Sequence, residues 1–305
     1  MQLQQLLYFI EVVKFKSINK AAESLLVTQP NLSRAIKNLE AELEIVVFNR
    51  NNKGVLLTEE GKKLYEYAQT ILDQVEIISR MAKKECSSSL SISAYPIQLT
   101  VRALSEFYNL NKDRNINIKL LEYRMDQVVE DVYSAKSEIG VIHFNNRQSQ
   151  EVNNYLNFKN LEMQIIATDT WYVIVGERNP LYNCEEVSIH QLKDYVSVRA
   201  PDDYFANLTS HLKIDSVSLG SFRPVYLNSM AAAISFIQNT DGFRFGPGWS
   251  RVDFEKAGIR LIPIKNSDII VHSAWIKRKK DALSSEAAQF IRLLQKYYDE
   301  RHIEA

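Results

Sequence analysis

Two short apolar stripes, separated by a break that neither can cross as a helix, constrain the first part of this chain more than any other feature. Ile18, Ala21, Ala22 and Leu25 recur at helical spacing, and Leu32, Ala35, Ile36, Leu39 and Leu43 do so again beyond Leu26-Val27. Between the stripes Thr28 offers an N-cap hydroxyl, and Gln29 and Pro30 fall in a first turn where a missing N–H costs nothing. Small residues at 21 and 22 permit a close crossing, so the pair reads as a helix-turn-helix. An earlier helix bearing Leu3, Leu6, Leu7, Phe9, Ile10 and Val13 supplies the core beneath it.

The face of the later helix opposite its apolar stripe carries Asn31, Ser33, Arg34, Lys37 and Asn38, and its carboxylates Glu40, Glu42 and Glu44 are held to the C-terminal end. A helix entering a major groove by its N-terminal end needs that gradient, with amides, hydroxyls and cations against base edges and phosphates. The plain alternative is a three-helix bundle with a solvated polar face. Net charge does not separate the two: the whole chain sums to zero, and residues 1–85 hold 12 Lys and Arg against 11 Asp and Glu. Local placement of charge decides DNA affinity, because phosphates are neutralised one at a time. Downstream, Val46-Val47-Phe48 and Val55-Leu56-Leu57 flank Asn51-Asn52-Lys53-Gly54, a hairpin with turn residues that tolerate positive φ. Such a hairpin is a wing, from which Arg50 and Lys53 would reach the phosphate backbone or minor groove.

The residues Phe9, Val13, Ser17, Ala21-Ala22, Leu25, Gln29-Pro30, Leu32-Ser33, Ile36, Leu39-Glu40, Leu43, Phe48, Arg50, Leu57-Thr58 and Gly61 stand in the order and spacing of one known family. Over these positions the chain resembles the N-terminal domain of LysR-type transcriptional regulators. The resemblance implies a winged helix-turn-helix over residues 1–58, with Thr28, Gln29, Pro30, Asn31, Ser33, Arg34 and Lys37 in the major groove of double-stranded DNA. One departure is Glu44, where the family usually has glycine; if the position needs positive φ to end the helix, a glutamate there is strained.

Thr58 caps the next helix, with Glu59 and Glu60 well placed in its first turn, and the helical pattern runs to about residue 84. Leu64, Ala68, Ile71, Val75, Ile78 and Ala82 follow one another at steps of four and three. That heptad seam predicts pairing with a second copy of the chain, against the alternative of a long helix lying on its own domain. Residues 59–89 are therefore expected to be a dimerisation helix and hinge. Paired readers predict a roughly palindromic operator. The resemblance adds a homotetramer built from such dimers, with RNA polymerase as a further partner.

Lys83-Lys84-Glu85-Cys86-Ser87-Ser88-Ser89 is a polar linker, and beyond it strand patterns alternate with helical ones: LSISAYP, INIKLLEY and IGVIHF as strands, residues 100–111 and 126–136 as helices. This alternation argues for a mainly parallel sheet. QIIATDTWYVIVGERNPL reads as a strand pair opening a second lobe, VSVRAP and RPVYL as further strands, and LIPIKN with IVHSAWIKR as the return, closed by a helix over 284–301. The layout resembles the two-lobed, periplasmic-binding-protein-like α/β effector domain of the same family, over residues 90–305, with one lobe from 90–162 and 267–305 and the other from 163–266.

Ligands of such folds sit at the C-terminal ends of strands, where loops and helix N-termini converge. By that rule one lobe contributes Ala94, Tyr95, Pro96, Gln98, Thr100, Tyr123, Arg124, Phe144 and Asn145, and the other Arg199, Ala200, Pro201, Asn228 and Ser229. Aromatics beside Arg124 and Arg199 suit a small organic acid as effector. TDGFRFGPGWSR at 240–251 has neither the spacing of a phosphate loop nor that of a dinucleotide fingerprint, and Phe243, Arg244 and Phe245 receive no role from the sequence.

His143, His190, His211, His272 and His302 are scattered, with no partner at metal-ligand spacing and no GxSxG or HExxH, so neither an enzyme nor a cofactor is expected. Cys86 and Cys184 lack CxxC spacing. The N-terminal stretch, interrupted by Glu11 and Lys14, lacks a signal-peptide pattern, and MAAAISFI at 230–237 is far too short for a membrane span. A cytoplasmic protein is expected. Two functions fit: a DNA-binding regulator answering a small effector, or a ligand-independent DNA architect whose C-terminal half only oligomerises.

Overall fold

The two stripes fold as α2 (Ile18–Ser24) and α3 (Gln29–Leu43), preceded by α1 (Leu3–Phe15). A hairpin of β1 (Phe48–Asn51) and β2 (Gly54–Leu57) follows, and then the long α4 (Glu59–Ala82). The computed structural model describes residues 1–51, 54–82, 88–200 and 212–300, and the chain divides into two units, Met1–Cys86 and Ser87–Ala305.

In the first unit Leu6, Phe9, Val12, Leu32, Ile36, Leu39 and Val47 are fully buried, each large side chain worth roughly 1.5–3 kcal/mol of transfer free energy. Two residues expected in this core are not there. Leu3 and Leu7 are 50% and 42% exposed, because the inward face of α1 runs through Gln5, Leu6, Phe9 and Val12 and leaves the 3, 7 row on its flank. Leu64, Ala68 and Ile71 of the expected α4 seam pack with Phe9 and Ile36 in the same cluster, Leu64 and Ile71 remaining only partly buried. Farther along the helix Val75 is half-buried and Ile78 is 63% exposed.

Local backbone explains the joints. Leu26 adopts a left-handed conformation, φ 54°, between α2 and α3, and Val27 N–H closes the turn on Ala22 O at 3.0 Å. Thr28 stands at the N-cap of α3 with extended backbone, but its hydroxyl makes no cap bond, which corrects the expectation. Glu44 ends α3 at φ 56°, ψ 32°, so the position does need the left-handed conformation that glycine adopts without penalty. Thr58 is the cap expected of it, its Oγ1 accepting from Gly61 N–H at 2.9 Å. Gly61 is required by contact: a Cβ there would lie 2.2 Å from Val47 O.

In the second unit β3 (Ser88–Ala94), α5 (Gln98–Asn111), β4 (Ile116–Glu122), α6 (Met125–Tyr133) and β5 (Ile139–Asn145) form the expected alternation, with β3 parallel to both β4 and β5. A helix unanticipated in the sequence, α7 (Ser149–Phe158), leads into β6 (Leu161–Gly176). Here the expected strand pair is one unbroken strand of 16 residues, because no Gly, Pro or Asn turn interrupts it. Residues 161–170 of β6 pair with β13 (Ile270–Arg278), and residues 171–176 pair with β11 (Phe243–Pro247) and β12 (Ile259–Pro263).

All three of those pairings are antiparallel, so the sheet is mixed rather than mainly parallel. A strand shared by two lobes must pair with the segment returning between them, which runs the other way. The switch falls between Thr170 and Trp171, beyond the expected change of lobe at 162/163. β7 (Ser197–Arg199) and β10 (Pro224–Tyr226) extend the second lobe in parallel; β8 (Lys213–Ile214) and β9 (Val217–Ser218) make a small hairpin beside them. α8 (Met230–Asn239) and α9 (Arg251–Lys256) pack on that lobe around Ile174, Ile237 and Leu261, and α10 (Ser285–Glu300) returns to α5.

Candidate functional site

Two sites emerge, one in each unit. On α3 the buried row Leu32, Ile36 and Leu39 turns the polar row outward: Asn31, Arg34, Lys37 and Asn38 are exposed and Ser33 is half-buried. Thr28, Gln29 and Pro30 are exposed ahead of them, with Pro30 in the first turn as expected. Arg34 and Lys37 form no ion pair among the described residues, so both cations are left to face a polyanion. Glu40 is turned to structural use, its Oε1 accepting from Val47 N–H at 2.9 Å and tying α3 to the approach of the hairpin. The wing is joined to α1 by Val55 N–H on Lys16 O at 3.1 Å. Arg50 lies in β1, and Lys53 lies outside the described residues.

In the second unit a cavity of about 290 Å³ opens between the lobes. One wall is Tyr95, Pro96, Glu122, Tyr123, Arg124 and Gln127; the other is Val198, Arg199, Ala200, Leu227, Asn228, Ser229, Met230, Ala233 and Arg244. The strand-end rule thus places Tyr95, Pro96, Tyr123, Arg124, Arg199, Ala200, Asn228 and Ser229 together. Pro201 lies outside the described residues. The other expected residues are not on the cavity's wall. Ala94 and Phe144 are core side chains. Asn145 is buried and accepts from the N–H groups of Arg147 and Gln148, so it shapes a turn. Gln98 is exposed and Thr100 is buried in α5, both off the cavity wall.

The three arginines differ in what they are free to do. Arg199 donates to Ser197 Oγ at 3.2 Å, Leu219 O at 2.5 Å and Phe222 O at 3.3 Å, which makes it a brace between segments of its own lobe. Arg124 reaches Asp126 at 3.3 Å from a half-exposed position. Arg244 was given no role by the sequence, yet alternation along β11 sends Phe243 into the core and the guanidinium to the cavity. Its Nε is buried with no hydrogen-bond partner, and its Nη1 donates to the Met230 thioether at 2.8 Å. Desolvation lowers its pKa below the ordinary value, and the Tyr95 hydroxyl opposes that pull. The one signal available in the sequence was a cation inside the apolar run GFRFG.

Behind the cavity His143 packs 5.6 Å from the Tyr95 ring and 4.7 Å from that of Trp249, and its Nε2 lies 3.2 Å from the Tyr298 hydroxyl. Desolvation pushes its pKa down to about 3, so it is neutral near pH 7. Among the described residues no group of His, Cys, Asp and Glu is arranged to hold a metal ion, and no helix is long and apolar enough to cross a membrane.

The family models match in two blocks. Residues 3–62 match the bacterial regulatory helix-turn-helix protein, lysR family, and residues 87–299 match the LysR substrate binding domain. The regulator BenM of Acinetobacter baylyi is 35% identical over 126 residues, 41% of either chain. CysL of Bacillus subtilis is 27% identical, the match spanning 61% of this chain and 60% of that protein. YbhD of Escherichia coli, named as an uncharacterised HTH-type transcriptional regulator, is 23% identical over 98% of this chain and 93% of its own. Among solved structures, CbnR, a LysR family transcriptional regulator, has a TM-score of 0.66 at 20% identity, covering 98% of this chain and 99% of its own. Full-length CbnR complexed with its target DNA has a TM-score of 0.64 at the same identity.

Proposed function

Because the chain belongs to the LysR family of bacterial helix-turn-helix regulators, we propose that it binds a specific DNA operator and changes transcription when a small effector occupies the cavity between its α/β lobes. The observation that carries the reading is the polar row of α3. Arg34 and Lys37 are exposed and uncompensated on a helix whose opposite face is locked into a rigid core, which is the preparation a major-groove reader needs. Thr28, Gln29, Pro30, Asn31 and Ser33 complete the reading surface, and Arg50 and Lys53 of the wing supply phosphate contacts.

Two readers on a palindrome require a dimer. The α4 seam of Leu64, Ala68, Ile71, Val75 and Ile78, with Ile78 63% exposed, is its contact, and a tetramer follows if dimers pair again. The setting is cytoplasmic, where operator DNA and RNA polymerase are met. The competing reading, a ligand-independent DNA architect, leaves the cavity without a use.

Footprinting of genomic DNA by the purified chain, with and without a metabolite extract, tests the proposal. A footprint with a palindromic core that changes length or spacing with extract is expected. No sequence preference at moderate salt refutes the DNA reading, and a footprint indifferent to every extract refutes the effector reading.

A further inference from the structure

Arg244 is a cation that no anion among the described residues answers. Among the described residues no Asp or Glu pairs with it; its recorded partners are a thioether sulfur and a phenol, both weak acceptors for a guanidinium. Its Nε has neither a partner nor solvent. A desolvated charge in this state is costly, and the protein carries that cost on the wall of a cavity. The cavity's other cations are engaged, Arg199 with backbone carbonyls and Arg124 with Asp126, and its own carboxylate, Glu122, is not among the groups acting on Arg244.

Size and lining narrow the occupant. A space of about 290 Å³ holds roughly ten water volumes, so the ligand is small. Pro96, Val198, Leu227 and Ala233 offer apolar surface on both sides, which a bare inorganic ion would not use.

We propose that Arg244 is the specificity-determining residue of the cavity and that it anchors the carboxylate of a small organic anion whose apolar body lies between the lobes. The proposal rests on the effector reading above. A guanidinium on this wall, with Tyr95 beside it, supplies N–H donors and a full positive charge for a carboxylate, and Asn228 and Ser229 at the start of α8 stand within the same wall.

The test uses the full-length chain and a metabolite extract split on an anion-exchange resin, with thermal denaturation at constant ionic strength as the readout, since a ligand of the native state raises the midpoint. Acetate, benzoate, acetamide, benzamide and sulfate serve as defined probes. The retained fraction should raise the midpoint of the wild type and the flow-through should not. Any probe that binds should be a carboxylate and not its amide or sulfate. Arg244→Met, unbranched and apolar, should fold and need roughly ten- to hundredfold more of the active fraction for the same rise in midpoint. Arg244→Lys should respond between the two. Activity confined to the flow-through, or an equal response from Arg244→Met, overturns the role of Arg244 and leaves the effector reading standing. If neither fraction nor whole extract shifts the wild type, the effector reading fails and the proposal falls with it. Should Arg244→Met not fold, Arg244→Gln replaces it, and the division between fractions in the wild type still decides.

Discussion

Replacing Glu44 with glycine should stabilise the DNA-reading unit. Glu44 ends α3 at φ 56°, ψ 32°, where a residue with a Cβ costs roughly 1–2 kcal/mol relative to glycine. Its side chain is exposed, so no packing is lost. Against the gain stands the greater freedom of glycine in the unfolded chain, about 0.4–1 kcal/mol. The balance is a gain of roughly 0.5–1 kcal/mol, equivalent to about two- to fivefold slower opening. Amide hydrogen exchange of α3 reads it directly, because the three tryptophans, Trp171, Trp249 and Trp275, all lie in the other unit and report nothing here. Protection at Leu39 and Val47 should rise by that factor in Glu44→Gly and stay level or fall in Glu44→Ala, which keeps the Cβ. Equal gains from both variants would show that the glutamate's charge, not its backbone, was the burden.

Gly61→Ala should have the opposite effect: its Cβ would meet a backbone carbonyl at 2.2 Å, and a cost of about 2–3 kcal/mol is expected, visible as lost protection throughout residues 29–58. Arg34→Ala should weaken specific binding roughly tenfold or more and relax base preference at one operator position, checked by selection from randomised sites; an unchanged preference would assign Arg34 to phosphate. His143, neutral in the folded chain until about pH 3, takes a proton in the unfolded chain near pH 6.5. The second unit should therefore lose stability as pH falls from about 6.5 toward 3, with the slope reduced in His143→Gln, followed by tryptophan fluorescence in urea.

The helix-turn-helix was legible because its information is local: a stripe, a proline and a cap lie within one turn of the backbone they control. Even there the sequence misplaced Leu3 and Leu7, since which side of α1 turns inward is settled by α3 and α4 and not by α1 itself. The α4 seam is ambiguous for the same reason, a heptad being satisfied by a partner helix, by Phe9 and Ile36 of the same chain, or by both. In the second unit strands were found and their pairing was not. Nothing between Met163 and Gly176 announces that the strand changes partners at Thr170, because that switch is written in β11, β12 and β13, up to a hundred residues away. Arg244 escaped for a related reason: a cation in an apolar run acquires meaning only once the alternation of its strand is known.

That shared strand makes the two lobes the arms of a lever. At about 3.3 Å per residue, residues 171–176 of β6 form an arm of roughly 20 Å, bonded on both edges and therefore stiff. A turn of about ten degrees at the Thr170–Trp171 peptide would carry the tip of that arm through roughly 3.5 Å, a little more than the length of one hydrogen bond.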